Sequence, residues 1–400
     1  MSSDRKNIRF GQPAEPAATA TIPRPYVQQH SNGNGTGNGS PEPAVASAPA
    51  VAAPAHVVIP AAPAPVPQVR LGRGLDVGTA NLLSAVQGLD GSVTVKRERN
   101  AFLEIPATAS ANRDLLTKLG VPYVQHRDKL FVLGDMSFDL ANMFGTEVRR
   151  PMQDGFLSPA ERDAIPIMRY ILERLLGPPA VQGESVHFCV PAESIDKEND
   201  TVYHEGIVGG ILRKLGYTPT AINEGHAVIY SELGDHDYTG IGVSCGGGMF
   251  NVCVAYKTIP AVTFSVARGG DWIDEHVSKV MGIPRTRATA IKESNVNLLD
   301  PRTREEEAVV LYYRNLISYV LRNLKQRFEL ARDIPQFTEP VEVVVSGGTS
   351  MVGGFVEVFA EELLKIDFPL PIAGVRGAED PLASVARGSL IAAALANDGS

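Results

Sequence analysis

The sequence has few cysteines and no long apolar run, and these two absences narrow the possible protein classes. The cysteines, Cys189, Cys245 and Cys253, are odd in number, and none belongs to a CxxC pair. This disfavours a disulfide framework and a zinc site and indicates a reducing, cytoplasmic compartment. No apolar run reaches the roughly 20 residues that span a bilayer, so we expect no transmembrane segment. The N-terminal MSSDRKNIRF is too polar for a signal peptide.

An excess of basic residues is also missing. The formal net charge is −8, so no global positive field draws the chain to nucleic acid or to an acidic membrane. Hydrophobic residues make up 44% of the 400 residues. This composition allows one large two-lobed domain or two ordinary domains with proper cores.

Residues 1–68 differ in composition from the rest of the chain. They contain a Gly/Asn run from Asn32 to Gly39 and a Pro/Ala/Val run from Pro41 to Pro67. Such a stretch buries too little apolar surface to offset its ordering entropy, so we predict a disordered Pro/Ala/Gly-rich tail. It is either a solvated tether or an arm that binds a protein partner or a filament neighbour.

The remaining residues read as an α/β body with two similar halves. Gly74–Ala85 and Gly240–Tyr256 each read as strand, glycine turn, strand, and each is followed by further α/β elements. Ala107–Ser110 reads as a strand. Ser158–Leu176 reads as a helix with Ser158 as its N-cap, although Pro166 favours a later start. The repetition predicts an internal duplication with a cleft between two lobes.

Three glycine turns follow apolar strands. They are Asp76-Val77-Gly78-Thr79-Ala80-Asn81, Ser244-Cys245-Gly246-Gly247-Gly248-Met249 and Ser346-Gly347-Gly348-Thr349-Ser350. Glycine lets a backbone approach a phosphate closely and direct N–H groups at it. An Asp beside such a turn can hold Mg²⁺ through water. A single turn of this kind is common in hairpins, and the recurrence of three carries the prediction of a phosphate site.

The three turns together resemble those of the actin, heat-shock-chaperone and sugar-kinase superfamily. LDVGTAN, SCGGGMFNVCV and VVVSGGTSMVGGF are similar to its two phosphate loops and its adenosine motif. LDVGTAN, ARGGDWIDEHV, RRPMQDGFLS and DPLASVARGSL are most similar to the bacterial MreB/MamK branch. The resemblance implies a two-lobed actin-like ATPase fold with duplicated ribonuclease H-like lobes. Lobe I would cover residues 69–223, and lobe II would cover 224–400.

The resemblance also assigns roles to residues. ATP phosphates would be cradled by Gly78, Thr79, Ala80, Asn81, Gly246, Gly247 and Gly248. The sugar and base would be contacted by Gly270, Asp271, Lys292, Glu293, Gly347, Gly348 and Thr349. Asp76 would hold Mg²⁺. Glu198, in the linking segment VPAESIDKE, would orient the attacking water, since phosphoryl transfer depends on positioning and charge stabilisation.

Two departures from the family pattern bear on catalysis and assembly. Ser244 stands where the second phosphate loop usually begins with Asp, and Met249 replaces a Thr. Losing such a group costs roughly 10² to 10³ in rate, so we predict nucleotide binding with slow hydrolysis. Only about a dozen residues separate Ser294 from the long helix near Glu306, so the upper subdomain of lobe II is expected to be shortened.

Two functions from different classes remain open. The leading one is an MreB/MamK-like ATP-binding cytoskeletal or scaffolding protein, whose lobes close on Mg-ATP and control self-association into filaments. The alternative is a non-polymerising nucleotide-binding pseudo-ATPase that acts as a regulator. A chaperone would need a substrate domain after the last helix, and a sugar kinase would need a catalytic Asp in the first lobe. Neither is evident in the sequence.

Overall fold

The computed structural model describes residues 72–88, 90–107, 110–198, 201–332 and 334–398. The predicted tail lies outside these residues. Up to residue 223 the described elements are β1 (Arg73–Val77), β2 (Asn81–Gln87), β3 (Val93–Arg99), β4 (Phe102–Pro106), α1 (Ser110–Lys118), β5 (Tyr123–His126), β6 (Lys129–Leu133), α2 (Asp135–Phe144), β7 (Met152–Gln153), β8 (Phe156–Leu157), α3 (Ala164–Leu176), β9 (Glu184–Val190), α4 (Thr201–Lys214) and β10 (Tyr217–Asn223).

The second half continues without a break. Its elements are α5 (Glu224–Glu232), β11 (Gly240–Cys245), β12 (Phe250–Tyr256), β13 (Ile259–Val266), α6 (Gly270–Met281), α7 (Arg285–Lys292), α8 (Arg304–Leu330), β14 (Val341–Ser346), α9 (Phe355–Leu364), β15 (Ile372–Gly377) and α10 (Ser384–Asp398). Short 3₁₀ turns occur at Gly234–His236 and Gly348–Met351.

The two main sheets have the same construction. The first has the order β10-β9-β1-β2-β3, and the second has the order β15-β14-β11-β12-β13. In each sheet the central strand pairs antiparallel with the next strand in sequence and parallel with a strand that arrives later. This shared topology confirms the predicted duplication. The lobe boundary at residue 223 stays a prediction.

Each sheet packs against a helix that follows the other sheet in sequence. Helix α10 lies on β1, where a Cβ on Gly74 would come within 1.9 Å of the Ala386 carbonyl oxygen. Helix α5 lies on β11, where a Cβ on Gly242 would come within 2.2 Å of the Gly225 carbonyl oxygen. Only glycine allows this approach between helix and strand. Asp76 and Ser244 each lie two residues after such a glycine, so each helix packs next to the start of a phosphate turn.

Apolar periodicity explains the core of the first lobe. Helix α3 buries Ile167, Met168, Ile171, Leu172 and Leu175 against Leu75, Val77 and Phe188 of the first sheet. It begins at Ala164 rather than at Ser158, because Pro166 fits only the first turn of a helix. The predicted N-cap at Ser158 is therefore wrong.

The small sheet β4–β6–β5 forms a satellite of the first lobe. Leu103, Ile105, Leu130 and Val132 pack there against Leu116 of α1. Of the strand predicted for Ala107–Ser110, Ala107 follows the end of β4 and Ser110 begins α1, and residues 108 and 109 lie outside the described residues. The Asn112 side chain donates to the Pro106 carbonyl at 2.9 Å and fastens the start of α1 to the strand end.

The core of the second lobe lies between its sheet and the long helix α8. Tyr313, Leu316, Ile317, Val320 and Leu324 recur at helical spacing and are buried against the sheet. Among the residues that the structure describes, no helix is long and apolar enough to cross a membrane.

Candidate functional site: an interlobe cleft with two glycine turns

A cleft with a cavity volume of about 490 Å³ lies between the two lobes, within the usual range for a small-molecule site. Most of the predicted site residues line it. They are Asp76, Gly78, Thr79, Ala80, Asn81, Gly246, Gly247, Gly248, Asp271, Lys292, Glu293, Gly347, Gly348 and Thr349. Gly270 lies directly behind this lining, since its amide donates to the Gly246 carbonyl at 3.1 Å.

The two phosphate turns close in the same way. In the first turn the Gly78 amide donates to the Asn81 carbonyl at 3.1 Å, and in the second the Gly246 amide donates to the Met249 carbonyl at 2.9 Å. Asn100 steadies the first turn by donating to the Gly78 carbonyl at 2.9 Å. Both turns are therefore held by the protein before any ligand binds.

The carbonyl groups of the second turn are occupied from behind. Thr349 donates its hydroxyl to the Gly246 carbonyl at 2.8 Å, and the Asp271 amide donates to the Gly247 carbonyl at 2.8 Å. These bonds tie the turn to the start of α6 and to the third glycine turn. Because the Gly246 and Gly247 carbonyl oxygens already accept hydrogen bonds, they repel an anion in the cleft less strongly.

Several amides of the turns have no protein partner. Within the described ranges, no protein acceptor receives the N–H of Thr79, Ala80, Gly247 or Gly248. Backbone N–H groups need an acceptor, and successive free amides in a turn form an anion-binding concavity. Two such turns, one from each lobe, line the same cleft.

A carboxylate from each side of the duplication also lines the cleft. Asp76 lies on β1, and Glu224 is the first residue of α5. Ser244 donates its hydroxyl to the Glu224 Oε2 atom at 2.9 Å, and both of these residues are buried. Ser244 was predicted to leave this turn without a carboxylate. The structure shows that the carboxylate beside this position comes from Glu224 instead.

Burial changes the acidity of both carboxyl groups. Desolvation raises the pKa of Asp76 well above its usual value, and the nearby Glu224 charge raises it further. Desolvation likewise raises the pKa of Glu224 to about 7, opposed by the hydrogen bond from Ser244. Two carboxylates in one pocket favour a shared cation.

The donor set fits magnesium. Mg²⁺ is usually held by one or two carboxylates together with substrate phosphates and several waters. Asp76 and Glu224 supply two carboxylates beside two phosphate-type turns. Among the described residues no cluster of three or more His, Cys, Asp and Glu side chains could form an all-protein metal cage.

The ammonium group of Lys292, although it lines the cleft, is bonded to protein acceptors. Its Nζ atom lies 2.9 Å from the Asp274 Oδ2 atom and donates to the Gly270 carbonyl at 3.1 Å. Thr289 donates to the same Asp274 oxygen at 2.8 Å. Lys292 therefore fixes the start of α6, and with it Asp271 and the second phosphate turn.

An apolar wall closes one end of the cleft beside the third glycine turn. Met351, Val352, Leu382 and Val385 line the cavity there together with Gly348. The Gly347 amide donates to the Pro381 carbonyl at 2.8 Å, which joins this turn to the segment before α10. Flat apolar groups pack well against such a wall.

A family model for volactin matches residues 71–393, most of the chain. The chain belongs to the volactin family. Among solved structures, a MamK double helical filament is 20% identical with a TM-score of 0.63, covering 80% of this chain and 98% of that one. MreB5 of Spiroplasma citri bound to ADP is 16% identical with a TM-score of 0.58, covering 82% and 98%. These likenesses confirm the predicted actin-like fold.

A curated relative of this volactin-family chain is the cell division protein FtsA of Enterococcus hirae. It is 23% identical over 189 residues, which make up 44% of this chain and 42% of FtsA. The match thus spans less than half the length of that relative.

Glu198 is the one predicted site residue that lies away from the cleft. In this volactin-family chain it lines a separate cavity of about 260 Å³ together with Asp154, Lys197 and His204. The preceding segment explains the placement, because Ile195 donates its amide to the Ser265 carbonyl at 3.0 Å. The linking segment therefore runs along the edge strand β13 of the second sheet and leaves Glu198 beyond its end.

Five charged residues that line the cleft were not predicted from the sequence: Arg97, Arg99, Arg150, Glu224 and Asp274. An Asn directly before an apolar helical stretch is an N-cap signal for the start of the helix that carries Glu224, and Asn223 does accept from the His226 amide at 3.1 Å. The alternation of side chains along β3 also carried a signal, because it places Arg97 and Arg99 on the same face of the strand. Arg99 pairs in register with Asn81 of the first phosphate turn.

Cys245 and His226 are not cleft groups. Cys245 is fully buried, and burial raises the pKa of its thiol well above the usual value. A buried thiol with a raised pKa fills space in the core and is not a reactive thiolate. His226 is buried and stacks on Tyr230 with ring centroids 4.7 Å apart.

Proposed function

We propose that this chain binds ATP with Mg²⁺ in the interlobe cleft and that the closed state controls its assembly. One observation carries the proposal: two equivalent glycine turns, one from each lobe, bring unpaired amides to a single cavity that also contains Asp76 and Glu224. Relatives of similar fold support it, because MreB5 of Spiroplasma citri was solved with ADP and with AMPPNP.

The phosphates are held mainly by backbone amides. Thr79 and Ala80 donate from the first lobe, while Gly247 and Gly248 donate from the second. Mg²⁺ would be held by Asp76 and Glu224 and would neutralise phosphate charge. A ligand that contacts both lobes favours the closed state by its differential affinity.

Adenosine occupies the other part of the cleft. Gly348 and Thr349 lie on one side, next to the apolar wall formed by Leu382 and Val385. Glu293 follows α7 on the other side and offers an acceptor for sugar hydroxyls. Lys292 acts indirectly, by fixing Gly270 and Asp271.

Hydrolysis is slow in this proposal. The carboxylate beside the second turn belongs to Glu224 on α5 and not to the strand itself, and Met249 offers no donor. Glu198 lines a different cavity from the phosphate turns. Losing one preorganised group costs roughly 10² to 10³ in rate.

Self-association into filaments is the assembly that the fold supports best. MamK, which has a similar fold, was solved as a double helical filament. The alternative is a non-polymerising pseudo-ATPase, favoured by Ser244, Met249 and the short stretch between Ser294 and α8. A cytoplasmic location and a protein partner for the tail belong to the same proposal.

Gly247→Ala provides a sharp test of nucleotide binding. A Cβ at Gly247 has Ala80 Cβ as its nearest neighbour at 3.5 Å, an ordinary contact, so the fold accepts the methyl group. In the bound state the methyl group would prevent close backbone approach to a phosphate. We expect Mg-ATP affinity by calorimetry to fall about tenfold or more with little change in melting temperature.

Gly210→Ala on α4 is the matched control, since a Cβ there has no neighbour within 4 Å. Its affinity should equal that of the wild type. Absence of binding of any Mg-nucleotide by the wild type would overturn the proposal. Pelleting that requires Mg-ATP would support filaments, and a monomer at high protein concentration with Mg-ATP would support the pseudo-ATPase.

A further inference from the structure

Arg150 lies at the junction between the two phosphate turns. It precedes the β7–β8 hairpin, whose Gly155 donates its amide to the Thr79 hydroxyl of the first turn at 2.9 Å. Its ionic partner Asp271 donates its amide to the Gly247 carbonyl of the second turn at 2.8 Å. The guanidinium is thus anchored close to both turns, and it lines the cleft.

The ion pair uses only part of the guanidinium. The Arg150 Nη1 atom donates to Oδ1 and Oδ2 of Asp271 at 3.2 and 2.9 Å. Its Nε and Nη2 atoms donate to no group in the part of the chain that the structure describes. A guanidinium carries five N–H donors in a fixed fork, so donors remain for an oxyanion while the pair with Asp271 persists.

The neighbouring Arg149 is arranged quite differently. It forms ion pairs with Glu104 and Glu161, and its guanidinium lies over the Phe102 ring with the centroid 4.9 Å away. It does not line the cleft. Neither arginine was predicted from the sequence as a site residue. The structure separates a cleft arginine from one that braces the fold.

We infer that Arg150 is a phosphate-contacting residue that makes the cleft select nucleotides with two or three phosphates over monophosphates. The inference rests on the proposed nucleotide site and adds a specificity determinant to it. Arginine binds phosphate through parallel charge-assisted hydrogen bonds. Arg150 supplies a positive charge beside the two turns.

The chemistry also links recognition to closure. Arg150 belongs to the first lobe and Asp271 to the second, so the pair bridges the cleft. A phosphate that accepts from the free Nε and Nη2 donors would add to this bridge instead of competing with it. A monophosphate, or adenosine alone, would leave the donors unused.

The test compares AMPPNP and AMP, each with Mg²⁺, by calorimetry on the full chain. For Arg150→Gln we expect AMPPNP affinity to fall about tenfold or more, while AMP affinity changes less than about threefold. Arg150→Lys retains one charge but loses the fork, so it should recover part of the preference. Arg149→Gln is the matched control and should keep the wild-type ratio of the two affinities.

The possible outcomes distinguish this inference from the proposed nucleotide binding on which it rests. An equal loss of AMPPNP and AMP affinity in Arg150→Gln would show that the residue acts only as a bridge between lobes, and would overturn the inference. An unchanged AMPPNP affinity would overturn it as well. Failure of the wild type to bind either nucleotide would instead refute the proposed function. Melting temperatures of the variants would identify a loss caused by unfolding.

Discussion

The two phosphate turns occupy equivalent places in duplicated sheets, yet they hold their polar groups by different means. The first turn follows a carboxylate in its own strand, Asp76. Its Thr79 hydroxyl accepts the amide of Gly155 from the β7–β8 hairpin. The second turn follows Ser244, which donates to Glu224, the first residue of helix α5. Asp76 is part of strand β1, whereas Glu224 belongs to helix α5.

This difference shows how a duplicated fold can place a carboxylate beside each turn from different elements. Glu224 comes 20 residues before Ser244, but α5 brings its carboxyl oxygen to 2.9 Å from the serine hydroxyl. The charge at the second turn therefore depends on helix packing and not on the turn itself. Changes at the second turn, at the helices or at the hairpin each test one part of the comparison.

Making the second turn resemble the first should have the largest effect. Ser244→Asp would place a carboxylate within hydrogen-bonding distance of Glu224 and close to Asp76, in a buried pocket. Like charges without solvent are costly, so we expect a loss of about 3 kcal/mol or more in unfolding free energy without Mg²⁺. Urea unfolding in the presence of EDTA measures this loss.

A paired substitution tests whether charge is the cause. Glu224→Gln combined with Ser244→Asp moves the carboxylate onto the strand and should recover most of the lost stability. Ser244→Ala is the control, because it removes only one hydrogen bond and should cost about 1 kcal/mol. A Ser244→Asp protein as stable as the wild type would contradict the close approach of the two side chains.

The local parts of this comparison could be predicted from the sequence, and the long-range parts could not. Alternating apolar residues and glycines predicted both hairpins, because a hairpin is specified within about a dozen residues. The Glu224–Ser244 contact depends on how α5 packs across β11, which no local pattern encodes. Glu198 was predicted from the resemblance of its linking segment, but the pairing of Ile195 with β13 determines where the segment ends.

The helices that serve the two turns meet at a single glycine. In α10 a Cβ on Gly388 would come within 1.7 Å of the Ala227 carbonyl oxygen of α5. Gly388→Ala must therefore force the helices apart, and we expect a loss of about 1–3 kcal/mol in unfolding free energy. Gly210→Ala on α4, where a Cβ meets nothing, should instead stabilise by up to about 1 kcal/mol.

Thermal unfolding of these two helical glycine variants compares them under identical conditions. Because α5 carries Glu224, Gly388→Ala should also weaken Mg-nucleotide binding, while Gly210→Ala should leave it intact. If both variants lose stability equally, the close crossing of α5 and α10 does not join the two halves as described.

The β7–β8 hairpin, which donates to the Thr79 hydroxyl of the first turn, gives the smallest effect, and that effect depends on pH. His204 is buried and accepts the Leu157 amide at its Nδ1 atom, at 3.2 Å. Burial lowers the pKa of His204 from 6.5 to about 4. An unfolded chain therefore takes up a proton at this residue as the pH falls below about 6.5, while the folded chain does not. The stability from neutral His204 is complete above that pH and is lost progressively towards pH 4.

His204→Asn keeps an acceptor near the Leu157 amide and removes the titrating ring. The unfolding free energy of the wild type should fall by about 1 kcal/mol more than that of the variant between pH 7.5 and 5.5. His226, whose pKa burial also lowers to about 4, is present in both proteins and cancels in the difference. Asp154, Lys197 and Glu198 line the same cavity and are likewise unchanged. Parallel pH profiles would mean that His204 takes up its proton in the folded protein over the same pH range as in the unfolded chain. The hairpin beneath the first turn would then need a support other than the bond from Leu157 to a neutral ring.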